Sequence, residues 1–308
     1  KTPVNKIRLF EHGAPGSQNF KLTRKYYTED MPDGRVKHIV QNITDPDIVP
    51  YIPDGIGNST DRQRIPAVLI IPGGAFRRLV YNFEGEDVAK WLNSMGIAAF
   101  VLECRLPSDE HDNAEDVPLI DAMRAMRVIR GRAQEFGIDE AKIGVMGFSA
   151  GGFMAALLST AYESDVYADY KYKDEYDKLS ARPDFAVCSY PVISIDDCIE
   201  AGKRYMSEEQ VLERISDSKA KILHKYNPDK LVRPDMPPVF ICETDDDRTT
   251  LSENSVGFYM AARKAGESAE LHIFRTGGHG YGCGDDFAQT GEWKVLFTKW
   301  IKSIGIIS

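Results

Sequence analysis

Lys142-Ile143-Gly144-Val145-Met146-Gly147-Phe148-Ser149-Ala150-Gly151-Gly152-Phe153 is the stretch whose reading decides the fold. Its first part is a short apolar run, which predicts a strand over 142–146, and small and apolar residues then continue at helical spacing over 150–162. Ser149 therefore stands where a strand turns sharply into a helix. Such a turn holds its central residue in a strained backbone, and side chains at Gly147 and Gly151 would collide with neighbouring main chain. The helix N-terminus aims its amides at the same point, so the Ala150 N–H can meet a developing oxyanion. Alone, the Gly-x-Ser-x-Gly pattern also reads as a serine capping a helix. Its partners decide.

Outward from this turn, apolar runs rich in Val, Ile and Phe predict strands over 67–71, 97–103, 185–190, 239–243 and 270–274. Amphipathic stretches predict helices over 84–94, 117–136, 252–265 and 292–303. The alternation is that of an α/β fold with a mostly parallel central sheet flanked by helices. The leading sixty or so residues differ, with shorter runs over 6–10 and 47–52 that read as antiparallel leading strands. Two stretches lack strand signals: 163–182, which carries Tyr167, Tyr170, Tyr172 and Tyr176, and the charged, helical 195–237. Both read either as small cap insertions over the strand ends or as solvated connections, since long loops are often functional yet tyrosines also simply pack. With no internal repeat, residues 1–308 read as one domain.

The formal net charge of -9 argues against a nucleic-acid partner or an anionic membrane surface, which would need concentrated basic residues. A small neutral or cationic substrate fits better. The five cysteines (Cys104, Cys188, Cys198, Cys242, Cys283) show neither a disulfide framework nor zinc spacing, and Cys188 and Cys242 read as small buried strand residues. No apolar run reaches membrane-spanning length, so a soluble, cytoplasmic protein is expected. Secretion stays open because a leader can have been removed before Lys1, and homo-oligomerisation is likewise left open. Gly55-Ile56-Gly57 lacks the third glycine of a dinucleotide site, and neither a phosphate-loop lysine pattern nor H-E-x-x-H occurs. No metal and no organic cofactor are expected.

An activated serine needs a base, and the base needs an acceptor that fixes its tautomer. His12, His38, His111 and His224 fall before or outside strand ends, and His272 falls inside a strand. His279 lies in Thr276-Gly277-Gly278-His279-Gly280-Tyr281-Gly282, a flexible loop past the last strand from which a side chain can reach a central serine. For the acid, strand 239–243 runs into Thr244-Asp245-Asp246-Asp247-Arg248, where the acids compete; Asp247 is the first choice because family motifs of this kind place the orienting carboxylate just before a short triplet, here Arg248-Thr249-Thr250, and Asp246 is the alternative. Ser149, Asp247 and His279 follow the chain order of one known class of hydrolase. Pro72-Gly73-Gly74-Ala75-Phe76 closes an early strand, and Gly73 and Gly74 are the expected oxyanion donors with Ala150, Ala75 being a lesser candidate. Phe76, Arg77, Phe148, Phe153 and Tyr281 adjoin these motifs and are read either as pocket lining or as packing.

The chain resembles α/β-hydrolases of the bacterial acetylxylan esterase and short-acyl carbohydrate esterase type, distantly similar to hormone-sensitive-lipase-like enzymes. Glu11-His12-Gly13-Ala14-Pro15-Gly16, Pro72-Gly73-Gly74-Ala75-Phe76, Phe83-Glu84-Gly85, Cys104-Arg105-Leu106-Pro107, the Ser149 turn, Ser189-Tyr190-Pro191-Val192, Glu253-Asn254-Ser255 and Gly277-Gly278-His279-Gly280 carry it over most of the chain. It departs at Ala75 and Phe76, where the family has glycine and tyrosine, at Cys104 (tyrosine), at Phe153 (histidine) and at Thr249-Thr250-Leu251. The resemblance implies hydrolysis of short acyl esters, acetyl above all, carried by a small-molecule substrate such as an acylated saccharide. Two rivals stand beside it: a serine peptidase of the same fold, for which the leading residues are too few to build a selecting domain, and an inactive binding protein on a hydrolase scaffold.

Overall fold

The structure is a computed structural model that describes residues 6–56, 64–215, 218–285 and 288–308. Lys1, Gly57 and two residues of the 195–237 stretch fall outside these. The strands are β1 (Ile7–Arg8), β2 (Lys25–Asp30), β3 (Val36–Gln41), β4 (Asp47–Tyr51), β5 (Ile65–Ile71), β6 (Leu79–Val80), β7 (Ala98–Glu103), β8 (Ile138–Phe148), β9 (Ala186–Ser189), β10 (Val239–Thr244) and β11 (Ala269–Phe274). The helices are α1 (Asp87–Ser94), α2 (Val117–Gly131), α3 (Ala133–Phe136), α4 (Ala150–Ala161), α5 (Ile195–Lys203), α6 (Glu208–Ile215), α7 (Ser218–Lys225), α8 (Ser252–Lys264) and α9 (Glu292–Ser303).

Among the described residues, eight strands form one sheet in the order β1-β4-β7-β5-β8-β9-β10-β11. From β7 to β11 neighbours are parallel, whereas β4 runs antiparallel to β7 and β1 to β4. The central strands β7 and β10 are buried along their whole length, and β5 is buried apart from Ile65. That is why they read as unbroken apolar runs: a parallel strand covered on both faces has no solvent side to alternate with. One face packs against α2, α4 and α8, and the other against α1 and α9. In α9, Trp293, Phe297, Trp300 and Ile301 recur along one stripe and fill the second face. This is the α/β-hydrolase arrangement. None of the helices in the described residues is long and apolar enough to cross a membrane.

Local departures from the periodicity have physical causes. The expected helix 117–136 breaks after Gly131, and its short continuation α3 ends on Gly137, whose φ of 68° is the left-handed conformation of a helix C-terminus. The strand expected over 142–146 reaches back to Ile138, which pairs with Ile65. The helix expected over 84–94 opens with a π-helical turn, Asn82–Glu86, before α1 begins. A second sheet, β2-β3-β6, was not legible, because β2 (Lys-Tyr-Tyr-Thr-Glu-Asp) is largely exposed and carries no buried apolar stripe.

Residues 163–182 buttress α2. Tyr167 and Tyr170 pack edge-on against Phe10, the Arg124 guanidinium binds Asp177 at 3.0 Å, and Arg127 Nε donates to the Leu179 carbonyl at 2.9 Å. Covered on this side too, α2 is buried at most of its positions. Residues 195–237 hold α5, α6 and α7; Arg248 stacks 5.7 Å from the Tyr205 ring, which sets the α5–α6 turn beside the Asp247 loop.

Two of the quoted motifs meet at Arg105, which has no solvent exposure. Its guanidinium bonds Asp121 Oδ1 at 2.7 Å and Ser17 Oγ at 2.9 Å and also reaches the Pro15 carbonyl, while its own amide donates to Asp121 Oδ2 at 2.8 Å. The leading segment is thereby tied to the loop after β7. Asp121→Ala leaves this guanidinium buried without its counter-charge, and is expected to lower the unfolding free energy by about 3–5 kcal/mol in urea titrations. A loss under about 1 kcal/mol would mean that the pair is dispensable.

Candidate active site

The serine turn and the glycine loop lie at the carboxyl ends of adjacent parallel strands, β8 and β5, where Ile71 pairs with Gly147. The connection after β5 leads away to β7 on one side while β8 lies on the other, so the chain reverses direction across the sheet here. Crevices at such reversals are where open α/β sheets place their ligands. Ser149 has φ 55° and ψ -117°, a strained conformation for a residue with a Cβ. A Cβ on Gly147 would sit 1.9 Å from the Gly151 carbonyl oxygen, and one on Gly151 would sit 1.9 Å from the Ile71 carbonyl oxygen. Neither contact is physical, so both positions require glycine. The Ser149 amide donates to the Ser189 carbonyl at 3.0 Å, which locks the turn onto β9.

His279 reaches back across the sheet from the loop after β11. Its Nε2 lies 2.8 Å from Ser149 Oγ, and its Nδ1 lies 2.6 Å from Asp247 Oδ2. A carboxylate only accepts, so Nδ1 carries the proton and Nε2 is left to accept from the serine hydroxyl. The Asp247 side chain is fully buried. Burial by itself raises its pKa, but the His279 hydrogen bond and charge and the Thr250 and Thr249 amides outweigh this and hold it below the ordinary carboxylate range. Thr250 Oγ1 also donates to Asp247 Oδ2 at 3.0 Å and lies 3.2 Å from His279 Nδ1. Asp246, its neighbour, points the other way: its exposed carboxylate accepts from the Gly278 amide at 2.8 Å and does not meet the imidazole ring. The remaining histidines are engaged elsewhere, His111 with Ser17, His272 with Glu270 and His12 against Tyr172, or lie away from this loop in β3 (His38) and α7 (His224).

One oxyanion expectation is corrected. The Gly73 N–H donates to Glu84 Oε2 at 2.8 Å, and a single amide proton cannot also face a reacting oxygen. The Gly74 amide makes no hydrogen bond among the described residues, and Ala150 is the first residue of α4, whose amide has no partner within the helix. Ala75 and Phe76 have φ 56° and 60°, so two side-chain-bearing residues stand in left-handed backbone where the resembled family has glycine at the first.

Of the expected pocket residues, Phe148 and Phe153 have no exposed surface: Phe148 packs against Tyr190 and Trp293, and Phe153 against Phe76. A side chain sealed in the core lines no pocket. Phe76 does border a small cavity with Gly74, Leu106, Ala150 and Met154. Tyr281 is half-buried and stacks edge-on against Tyr190 at 4.6 Å.

Residue-by-residue reading missed three groups at the site: Glu84, Tyr190 and Thr250. Burial pushes the Glu84 carboxyl up, against the lowering pull of His279, the Tyr190 hydroxyl and the Gly73 amide. Glu84 and Tyr190 both lay in quoted motifs, but nothing in a sequence tells that an isolated glutamate at a helix start faces inward.

The chain matches the BD-FAE family over residues 56–261. It is 31% identical over 240 residues to an acetylxylan esterase of Xylanibacter ruminicola, a match covering 77% of this chain and 45% of that protein. It is 29% identical over 269 residues to endo-1,4-beta-xylanase B of Butyrivibrio fibrisolvens, covering 85% of this chain and 40% of that protein. The chain thus spans less than half the length of these two curated relatives. Among solved structures, an acetyl ester-xyloside bifunctional hydrolase of Caldicellulosiruptor lactoaceticus superposes with a TM-score of 0.74 at 35% identity, covering 99% of this chain and 98% of that one. With the sheet, the serine turn and these matches in agreement, the chain belongs to the BD-FAE family and has the α/β-hydrolase fold.

Proposed function

We propose that this chain is a serine carboxylesterase that removes short acyl groups, acetyl first, from xylan-derived saccharides. The observation that carries the reading is the unbroken chain of hydrogen bonds from Ser149 through His279 to Asp247, with 2.8 Å and 2.6 Å links. In this reading His279 Nε2 takes the Ser149 proton as Oγ attacks the ester carbonyl. The negative charge passes to the carbonyl oxygen, which the Gly74 and Ala150 amides receive. Asp247 stabilises the imidazolium and is not itself protonated. The imidazolium then returns its proton to the departing alcohol oxygen. Water, deprotonated by the same histidine, adds to the acyl-enzyme and releases the acid. The names of the relatives, acetylxylan esterase and acetyl ester-xyloside hydrolase, support a saccharide as the alcohol part.

The cavity beside Gly74 and Ala150 holds about 20 Å³ between Phe76, Leu106 and Met154. Phe76, Leu106 and Met154 thereby crowd the side of the site next to the Gly74 and Ala150 amides, which supports a short acyl group. Across p-nitrophenyl esters from acetyl to octanoyl, kcat/KM is expected to fall by about 10- to 100-fold. Acetylated xylo-oligosaccharide is expected to be deacetylated, and a peptide amide to be left intact. Rates that climb with chain length would overturn the short-acyl assignment, and cleavage of the amide at a comparable rate would favour a peptidase.

A further inference from the structure

We propose that Glu84 is a positioning residue, which together with Tyr190 forms a strut fixing the glycine loop after β5 relative to the His279 loop. The inference rests on the serine-hydrolase reading of the same site.

Four contacts make the strut. The Gly73 amide donates to Glu84 Oε2 at 2.8 Å, the Tyr190 hydroxyl donates to Glu84 Oε1 at 2.9 Å, and the Gly282 amide donates to the Tyr190 oxygen at 3.0 Å. The Tyr190 ring also stands edge-on to the His279 imidazole, 5.0 Å between centres. Two loops more than two hundred residues apart are thereby held by one buried line of polar groups. Both carboxyl oxygens are engaged, and every partner in the line is satisfied.

The backbone supports this placement at both ends. Glu84 sits in the π-helical turn Asn82–Glu86, where the Glu86 amide bonds the Tyr81 carbonyl at 2.8 Å. Such turns insert an extra residue into a helix and recur at functional sites. Tyr190 has φ 36°, pinned by its amide to the Cys242 carbonyl at 2.7 Å, and its carbonyl lies 3.3 Å from Thr250 Oγ1, whose one proton goes to Asp247. The strut thereby meets the acid's own loop. Space is tight enough for Gly73 to report any movement, since a Cβ there would lie 2.7 Å from Glu84 Oε2 and 3.0 Å from Ser149 Cβ. A buried carboxyl this close to the reaction costs folding stability, and its use is to keep the adjacent Gly74 amide aimed at the oxyanion before substrate arrives.

The test compares Glu84→Ala, Glu84→Gln, Tyr190→Phe and the Glu84→Ala/Tyr190→Phe double variant, with Ser149→Ala as control. Each is assayed on p-nitrophenyl acetate well below its Tm, and each is titrated with methylboronic acid. Ser149 Oγ adds to boron, its proton passing to His279, and the anionic tetrahedral adduct places a boron-bound hydroxyl where the oxyanion forms. Glu84→Ala is expected to lower kcat about 10²-fold with KM within about threefold, and to raise the boronate Ki by the same factor as kcat/KM falls. Glu84→Gln and Tyr190→Phe are expected to lose about tenfold. The double variant should lose no more than Glu84→Ala, because one strut is broken once. Should Glu84→Ala fail to fold, the glutamine and phenylalanine variants carry the comparison. Losses of kcat without a parallel rise in boronate Ki, or rates within about threefold of wild type beside an inactive Ser149→Ala, overturn the strut alone. Activity retained in Ser149→Ala overturns the site assignment and the strut with it.

Discussion

Ser149→Ala is expected to lower kcat on p-nitrophenyl acetate by about 10⁶-fold and to leave the fold intact. The size follows from the chemistry: without Oγ there is no acyl-enzyme, and only oxyanion binding and substrate positioning remain to assist water. Stability should change little. Alanine keeps the Cβ, so the strain of φ 55° persists, and the hydroxyl's loss removes one hydrogen bond to His279, worth about 1 kcal/mol. Circular dichroism and Tm would confirm the fold, and stoichiometric labelling of wild type by a phosphonate, absent in the variant, would identify the atom attacked. A variant that kept near-wild-type rate would move the nucleophile elsewhere.

Asp247→Asn is expected to cost about 10⁴-fold in kcat, whereas Asp246→Asn should cost less than about tenfold. Asparagine fits the space of Asp247, and its oxygen can still accept from Thr249 and Thr250, whose amides lie 2.7 Å and 2.9 Å from Oδ1. Its NH₂ then faces His279 Nδ1 and forces the ring proton to Nε2. The ring presents a donor to Ser149 and cannot take the proton. At Asp246 the loss is one exposed acceptor for the Gly278 amide, a loop anchor outside the proton path. Parallel kinetics of the two variants settle the acid: a collapse at Asp246 with Asp247 unharmed would reverse the assignment.

Both effects depend on a division of labour between strand ends. The parallel strands β8, β10 and β11 deliver Ser149, Asp247 and His279 to the same edge of the sheet, because parallel strands all end on one side. The loops then span the remaining distance. His279 crosses over β9 and β10 to reach the serine, which is why its loop is glycine-rich and why a strut at Glu84 and Tyr190 has something to steady.

The sequence by itself determined the parallel sheet, the serine turn and the chain order of Ser149, Asp247 and His279. Burial on both faces writes apolar runs into strands such as β5 and β10, and steric exclusion writes glycine at 147 and 151, so these features are local and readable. Only the tertiary structure shows which of Asp246 and Asp247 meets His279, since neighbours on a turn point in opposite directions and which one meets a histidine depends on a loop from another strand. It also decided that the Gly73 amide belongs to Glu84, that Phe148 and Phe153 are core, and that 163–182 braces α2. Those outcomes are long-range: an N–H or a ring has no partner until the whole sheet brings distant residues within reach, and no short pattern records that meeting.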